Sequence, residues 1–135
     1  MRWVILALAL PGADEAPERV HTLTVYGAFA ANANAAAETF TARAYDFWGF
    51  CKHIERGKDG TAVVVSPAKE MRIVLFAFDK EQAKKLPPGQ PSAYCSIIGS
   101  IDRYNPDDRV LYVKDCRWVR IIPDRDWVPA PGSKK

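Results

Sequence analysis

Phe29-Ala30-Ala31-Asn32-Ala33-Asn34-Ala35-Ala36-Ala37-Glu38-Thr39-Phe40, followed by Thr41-Ala42-Arg43-Ala44-Tyr45-Asp46-Phe47-Trp48-Gly49-Phe50-Cys51, is the stretch that decides the fold. Positions 29, 32, 36 and 40 are spaced by three, four and four, which sets them on one face of a helix. The alanines between them favour that helix. It is expected to start near Thr22 or Thr24, either of which can cap it, and to end at Phe40. Beyond it the period changes to two. Over Ala42–Glu55, Phe47, Gly49, Cys51 and His53 fall on one side of a long strand, and Asp46, Trp48, Phe50 and Lys52 on the other. Gly49, in mid-strand, predicts a bend or bulge.

Downstream, Arg56-Gly57-Lys58-Asp59-Gly60 has the composition of a hairpin turn. A short β-branched strand, Thr61–Ser66, is expected to stop at Pro67, and a third strand covers Met71–Phe78. Asp79 with Gln82 three residues on resembles a capping box for a short helix ending at Pro87-Pro88-Gly89. Ser92–Arg103 is a fourth strand with Gly99 as its kink. Asn105-Pro106-Asp107-Asp108 turns the chain, and Arg109–Trp118 is a fifth strand. The expected class is mainly β: a five-stranded OB-fold barrel, with an N-terminal helix and a short helix between strands 3 and 4. Size and the lack of alternating βα units exclude a TIM barrel or a Rossmann sheet.

Length and charge set the remaining bounds. A chain of 135 residues is most simply one domain. Its 19 basic and 16 acidic residues give a net charge of +3, with the signs interleaved rather than gathered into the stripe of a duplex-DNA binder. Met1-Arg2 followed by the apolar run Trp3–Leu10 and Pro11-Gly12-Ala13 has the pattern of a short export signal, which implies a periplasmic or secreted protein. The other reading is an apolar tail on a cytoplasmic domain. The run is too short to span a bilayer, so no membrane span is expected. The resulting division is a signal segment at 1–13, a linker at 14–21, the OB-fold domain at 22–118 and a C-terminal extension at 119–135. Cys51, Cys95 and Cys116 lie in apolar strand contexts without CxxC spacing. They are expected as buried free thiols, with one disulfide as the alternative in an exported chain.

Taken in order, Phe29, Asn32, Ala36, Phe40, Arg43, Gly49 and Ile54, then Phe78, Leu86-Pro87-Pro88-Gly89, Gly99 and Leu111-Tyr112-Val113-Lys114-Asp115-Cys116, resemble the pattern of a known family. It is the bacterial OB-fold family named for its similarity to the tRNA anticodon-binding domain (the tRNA_anti-like family). The match covers about residues 22–118. The resemblance implies an OB fold and, by the family's name, nucleic acid binding. It assigns no catalysis, and it implies structural roles for Phe29, Asn32, Ala36, Phe40, Gly49, Gly99 and Cys116.

Trp48, Phe50, Tyr94, Tyr104, Tyr112 and Trp118 are the functional pointers. OB folds hold single strands by stacking bases on aromatics over a basic groove. Trp48 and Phe50, flanked by Lys52 and Arg72, are the expected ligand-binding set. The competing reading covers that face with Val119–Trp127 or with a partner subunit, because a third strand apolar on both sides needs cover on both. Asn32 reads as a buried amide bonded to strand backbone, or as a ligand group. Cys51-x-His53 is a weak metal signal, with Cys95 or Cys116 as further ligands, and an equally weak nucleophile signal with no orienting third group. No metal, cofactor or enzymatic activity is expected. The expected function is a non-catalytic binding module for single-stranded nucleic acid or another polymer. The alternative is an exported structural or interaction domain whose apolar face meets a protein partner or a second copy.

Overall fold

The computed structural model describes residues 17–41, 43–68 and 71–126. The export-signal segment and Trp127 lie outside the described residues. The elements in chain order are β1 (Glu18–His21), α1 (Thr22–Ala31), α2 (Ala33–Phe40), β2 (Ala44–Cys51), β3 (His53–Arg56), β4 (Ala62–Ala68), β5 (Met71–Phe78), α3 (Lys80–Ala83), β6 (Ala93–Asn105) and β7 (Val110–Ile121). A short 3-10 turn follows at Asp124–Asp126.

The architecture corrects the expected five-stranded OB-fold barrel. The described strands form one seven-stranded open mixed sheet in the order β1-β2-β6-β7-β5-β4-β3. The β1–β2 and β5–β7 pairs are parallel, and the remaining pairs are antiparallel. Two strands were hidden in the sequence. The expected strand Ala42–Glu55 is divided at Lys52 into β2 and β3, which stand second and last in the order although one residue joins them. The sheet is therefore strongly curled. Lys52 N–H donates to the carbonyl of Val65 at 2.9 Å, in line with the β3–β4 ladder. β1 lies in what was expected to be the linker 14–21. With one apolar residue in Glu-Arg-Val-His, it forms because His21 and Trp48 come into parallel register, not because of its own propensity.

The expected single helix is two helices meeting at Asn32, a second correction. Asn32 is extended (φ −158°, ψ 93°). Its N–H ends α1 on the carbonyl of Ala28 at 3.0 Å, and its Oδ1 caps α2 by accepting from Ala35 N–H at 3.1 Å. It is an exposed hinge amide, not a buried one bonded to strand backbone. The cap of α1 is His21, whose Nδ1 accepts from Leu23 N–H at 3.1 Å, rather than either threonine. α1 buries Thr22, Val25 and Phe29 along one face, and α2 buries Ala36. Phe29, Phe40, Tyr45, Phe47 and Phe76 then form a continuous series of ring contacts through the core, with centroids 5.6–6.3 Å apart.

The two glycines act differently. β2 and β6 run in unbroken register from Ala44↔Ser100 to Cys51↔Ala93, so no bulge occurs at Gly49. A Cβ there would lie 2.4 Å from Thr22 Oγ1 and 2.6 Å from Thr22 Cβ. The glycine admits the first turn of α1 against the strand. Gly99 does sit at a register shift, between Ile98 and Ser100, opposite Asp115 in the left-handed region (φ 54°). Two ends also move. β4 continues through Pro67, with a register shift at Ser66/Pro67, instead of stopping there. β7 extends to Ile121, so the expected 119–135 extension begins inside a strand. Cys51, Cys95 and Cys116 are buried free thiols. Hydrogen bonding with Cys95 and burial push the Cys51 thiol well up, and burial does the same for Cys116.

Candidate functional site

Along β2, Tyr45, Phe47 and Cys51 enter the main core, and Asp46, Trp48 and Phe50 point outward. The outward ring of Trp48 packs with Tyr94 of β6 and Ile122 just past β7, in a cluster separate from the main core. Ile122 is tied there by its N–H, which donates to the carbonyl of Tyr94 at 2.8 Å. Trp48 is consequently 7% exposed. Its Nε1 is buried with no hydrogen-bond partner among the described residues. Two guanidiniums lie against its ring. The Arg19 carbon stands 3.7 Å from the ring centroid and the Arg120 carbon 5.8 Å. Asp46, opposite Arg19 in the β1–β2 register, accepts a hydrogen bond from Ser96 Oγ at 2.5 Å.

Phe50, two residues on, is open to solvent, with 37% of its surface exposed. It stands at a cleft of about 110 Å³ lined by His21, Thr22, Leu23, Phe50, Ser66, Pro67 and Tyr94. His21 packs edge-on to Tyr94, with ring centroids 5.7 Å apart. The Thr22 hydroxyl is buried and has no partner among the described residues. Ser66 Oγ donates to the carbonyl of Phe50 at 2.5 Å, which fixes the floor beneath the ring. Burial pushes the Tyr94 phenol up to about 12.

Of the four residues expected to bind ligand, Trp48, Phe50 and Lys52 follow one another along the outer side of β2 and the break after it. Phe50 and Lys52 are exposed, and Trp48 is covered. Arg72 stands in β5 opposite Pro67, and its side chain lies outside the described residues. Arg19 and Arg120 escaped sequence reasoning. They are 101 positions apart, and only the strand order β1-β2-β6-β7 brings them over one ring. Cys51 and His53 do not form a ligand pair. Cys51 is buried, whereas His53, beyond the Lys52 break, faces Glu55 at 3.3 Å. Among the described residues no group of three or more His, Cys, Asp or Glu side chains is placed to hold a metal ion. No described helix is long and apolar enough to cross a membrane.

No protein-family model and no curated protein matches the chain. Among solved structures, the fold is similar to that of a "putative nucleic acid-binding lipoprotein" from Klebsiella pneumoniae subsp. pneumoniae. The TM-score is 0.55 and the identity 14%, over 77% of this chain and 92% of that one. At that identity the likeness speaks for the fold alone.

Proposed function

We propose that this protein is a non-catalytic binding module for single-stranded nucleic acid, engaged through the outer face of β2. The observation that carries the reading is Phe50. It is an exposed aromatic ring beside a cleft, two residues along β2 from Trp48, whose ring carries two arginines that form no ion pair with a carboxylate among the described residues. Base–aromatic stacking over a positively charged surface is how single strands are held without sequence readout. The description of the structural neighbour and the ordered resemblance to the tRNA_anti-like family both support a binding role. The neighbour's description as a lipoprotein, with the apolar run at residues 3–10, supports export, which we include in the proposal.

The test is fluorescence anisotropy with labelled 12-nucleotide single-stranded RNA and DNA of mixed sequence, and with the matching duplex. Saturable binding of single strands that weakens with salt, and exceeds duplex binding, is expected. Absence of binding at low salt would reject this reading.

A second reading has its own observation. Val119 and Ile121 are 43% and 45% exposed at the end of β7, an apolar pair suited to a protein partner or a second copy. Light scattering of the purified chain tests the second copy, which would make it dimeric where the first reading expects a monomer.

A further inference from the structure

We propose that Arg19 and Arg120 form a clamp for one backbone phosphate of the bound strand, held above the ring of Trp48. The inference rests on the single-strand reading and deepens it by assigning the group each part of the surface takes.

Arg19 comes from β1 and Arg120 from β7, on either side of β2 and β6. With strands about 4.8 Å apart, their backbones are separated by roughly 14 Å. Both chains are exposed and long enough to extend into water. Instead, both guanidiniums turn in over the same indole. The π face draws them there. Bringing two like charges to one ring works against that attraction, and no ion pair with a carboxylate offsets it among the described residues. Arg43, by contrast, meets Glu18 at 2.7 Å. Resting on a ring leaves the five N–H donors of a guanidinium free at its edge, in a fork that suits phosphate oxygens. An anion set between the two would relieve their repulsion and satisfy those donors together. Phe50 lies two residues further along β2, about 7 Å away on the same side. A phosphate over Trp48 and a base on Phe50 are therefore within the span of one nucleotide.

The test compares the wild type with Arg19→Gln, Arg120→Gln and, over the separate ring of Tyr112, Arg103→Gln. Each is titrated with a natural 12-nucleotide single strand across salt, and with the same sequence on a neutral methylphosphonate backbone. Thermal unfolding of each variant checks its fold. Arg19→Gln and Arg120→Gln are each expected to weaken the natural strand about tenfold, as for a charge-assisted hydrogen bond. Each should also lower the salt slope by about 0.7. Binding of the neutral strand should match wild type, and Arg103→Gln should change nothing. An unchanged salt slope, or equal weakening on the neutral strand, would overturn the clamp and leave the arginines as cover for Trp48. In that case binding that still depends on Phe50 preserves the broader reading. No wild-type binding to either strand rejects both.

Discussion

Trp48 and Tyr112 both lie on the outside of the sheet with a guanidinium against the ring. Arg19 is 3.7 Å from the centroid of Trp48, and Arg103 is 3.9 Å from that of Tyr112. The surroundings differ. Among the described residues Tyr112 has one arginine. It stands opposite Leu75 in the β5–β7 register, and the depression near that register is lined by Lys114 together with Asp79 and Asp115. Trp48 has a second arginine, the Ile122 cover, and an exposed Phe50 beside it. An arginine over an aromatic ring is by itself a packing device that shields apolar surface. It becomes a candidate binding arrangement where cations gather next to an exposed ring and, among the described residues, form no ion pair with a carboxylate.

The sharpest way to break this contrast is at Gly49. Thr22 is the first residue of α1 and directly follows β1, so its approach to Gly49 positions the strand that carries Arg19. Gly49→Val forces a Cβ into the Thr22 side chain, and turning Oγ1 away does not relieve the clash, because Thr22 Cβ itself is 2.6 Å distant. A loss of about 2–3 kcal/mol is expected in urea unfolding. Thr22→Gly in the same chain should recover part of it. Wild-type stability in Gly49→Val would show that α1 does not rest on β2 there, and the placement of Arg19 would fall with it.

Next in size is the difference between the two rings as binding elements. Phe50→Ala is expected to cost about 1–3 kcal/mol of single-strand affinity, the usual loss for one stacked base. Tyr112→Ala should cost less than about 0.5 kcal/mol, as for a surface change away from a binding site. Anisotropy titration of both variants checks this. Equal losses would mean that the strand runs over both rings, and the contrast between them would be void.

How much of this was legible beforehand follows from what each feature depends on. The alternation from Tyr45 to Cys51 is written in neighbouring residues, and it correctly separated Trp48 and Phe50 from the core side of β2. The cap at Asp79, with Gln82 N–H donating to its Oδ1 at 2.9 Å, is equally local. What failed depended on partners far off in sequence. β1 exists because β2 offers an edge. Gly49 is small because Thr22 arrives, not because the strand bends. The division at Lys52 reflects the curl of the whole sheet, where a period-two pattern shows only an unbroken strand. Asn32 was assigned to the buried face by its spacing, yet an asparagine in an alanine-rich helix is also a natural cap, and that local signal was the better guide. The approach of Arg19 and Arg120 to Trp48 has no local signal at all.

A smaller effect probes the cover over Trp48 rather than the contacts on top of it. Tyr94 lies in the Trp48–Ile122 cluster, and burial pushes its phenol up to about 12 from an ordinary value of 10. A raised acid is neutral in the folded state while the unfolded chain has already lost its proton. Its contribution is therefore fully present below pH 10 and is lost as the pH rises toward 12. The Cys51 and Cys116 thiols, raised from 9, act in the same direction from a lower starting point. Stability is thus expected to fall with alkaline pH, and Tyr94→Phe should fall less steeply between pH 10 and 12 because one of the titrating groups is gone. Urea unfolding of wild type and Tyr94→Phe at pH 9, 10.5 and 11.5 measures the two slopes. Identical slopes would mean that the Tyr94 hydroxyl reaches water in the folded protein. Ile122 would then not seal this side of the cluster, and the indole of Trp48 would be more open to a ligand than its burial implies.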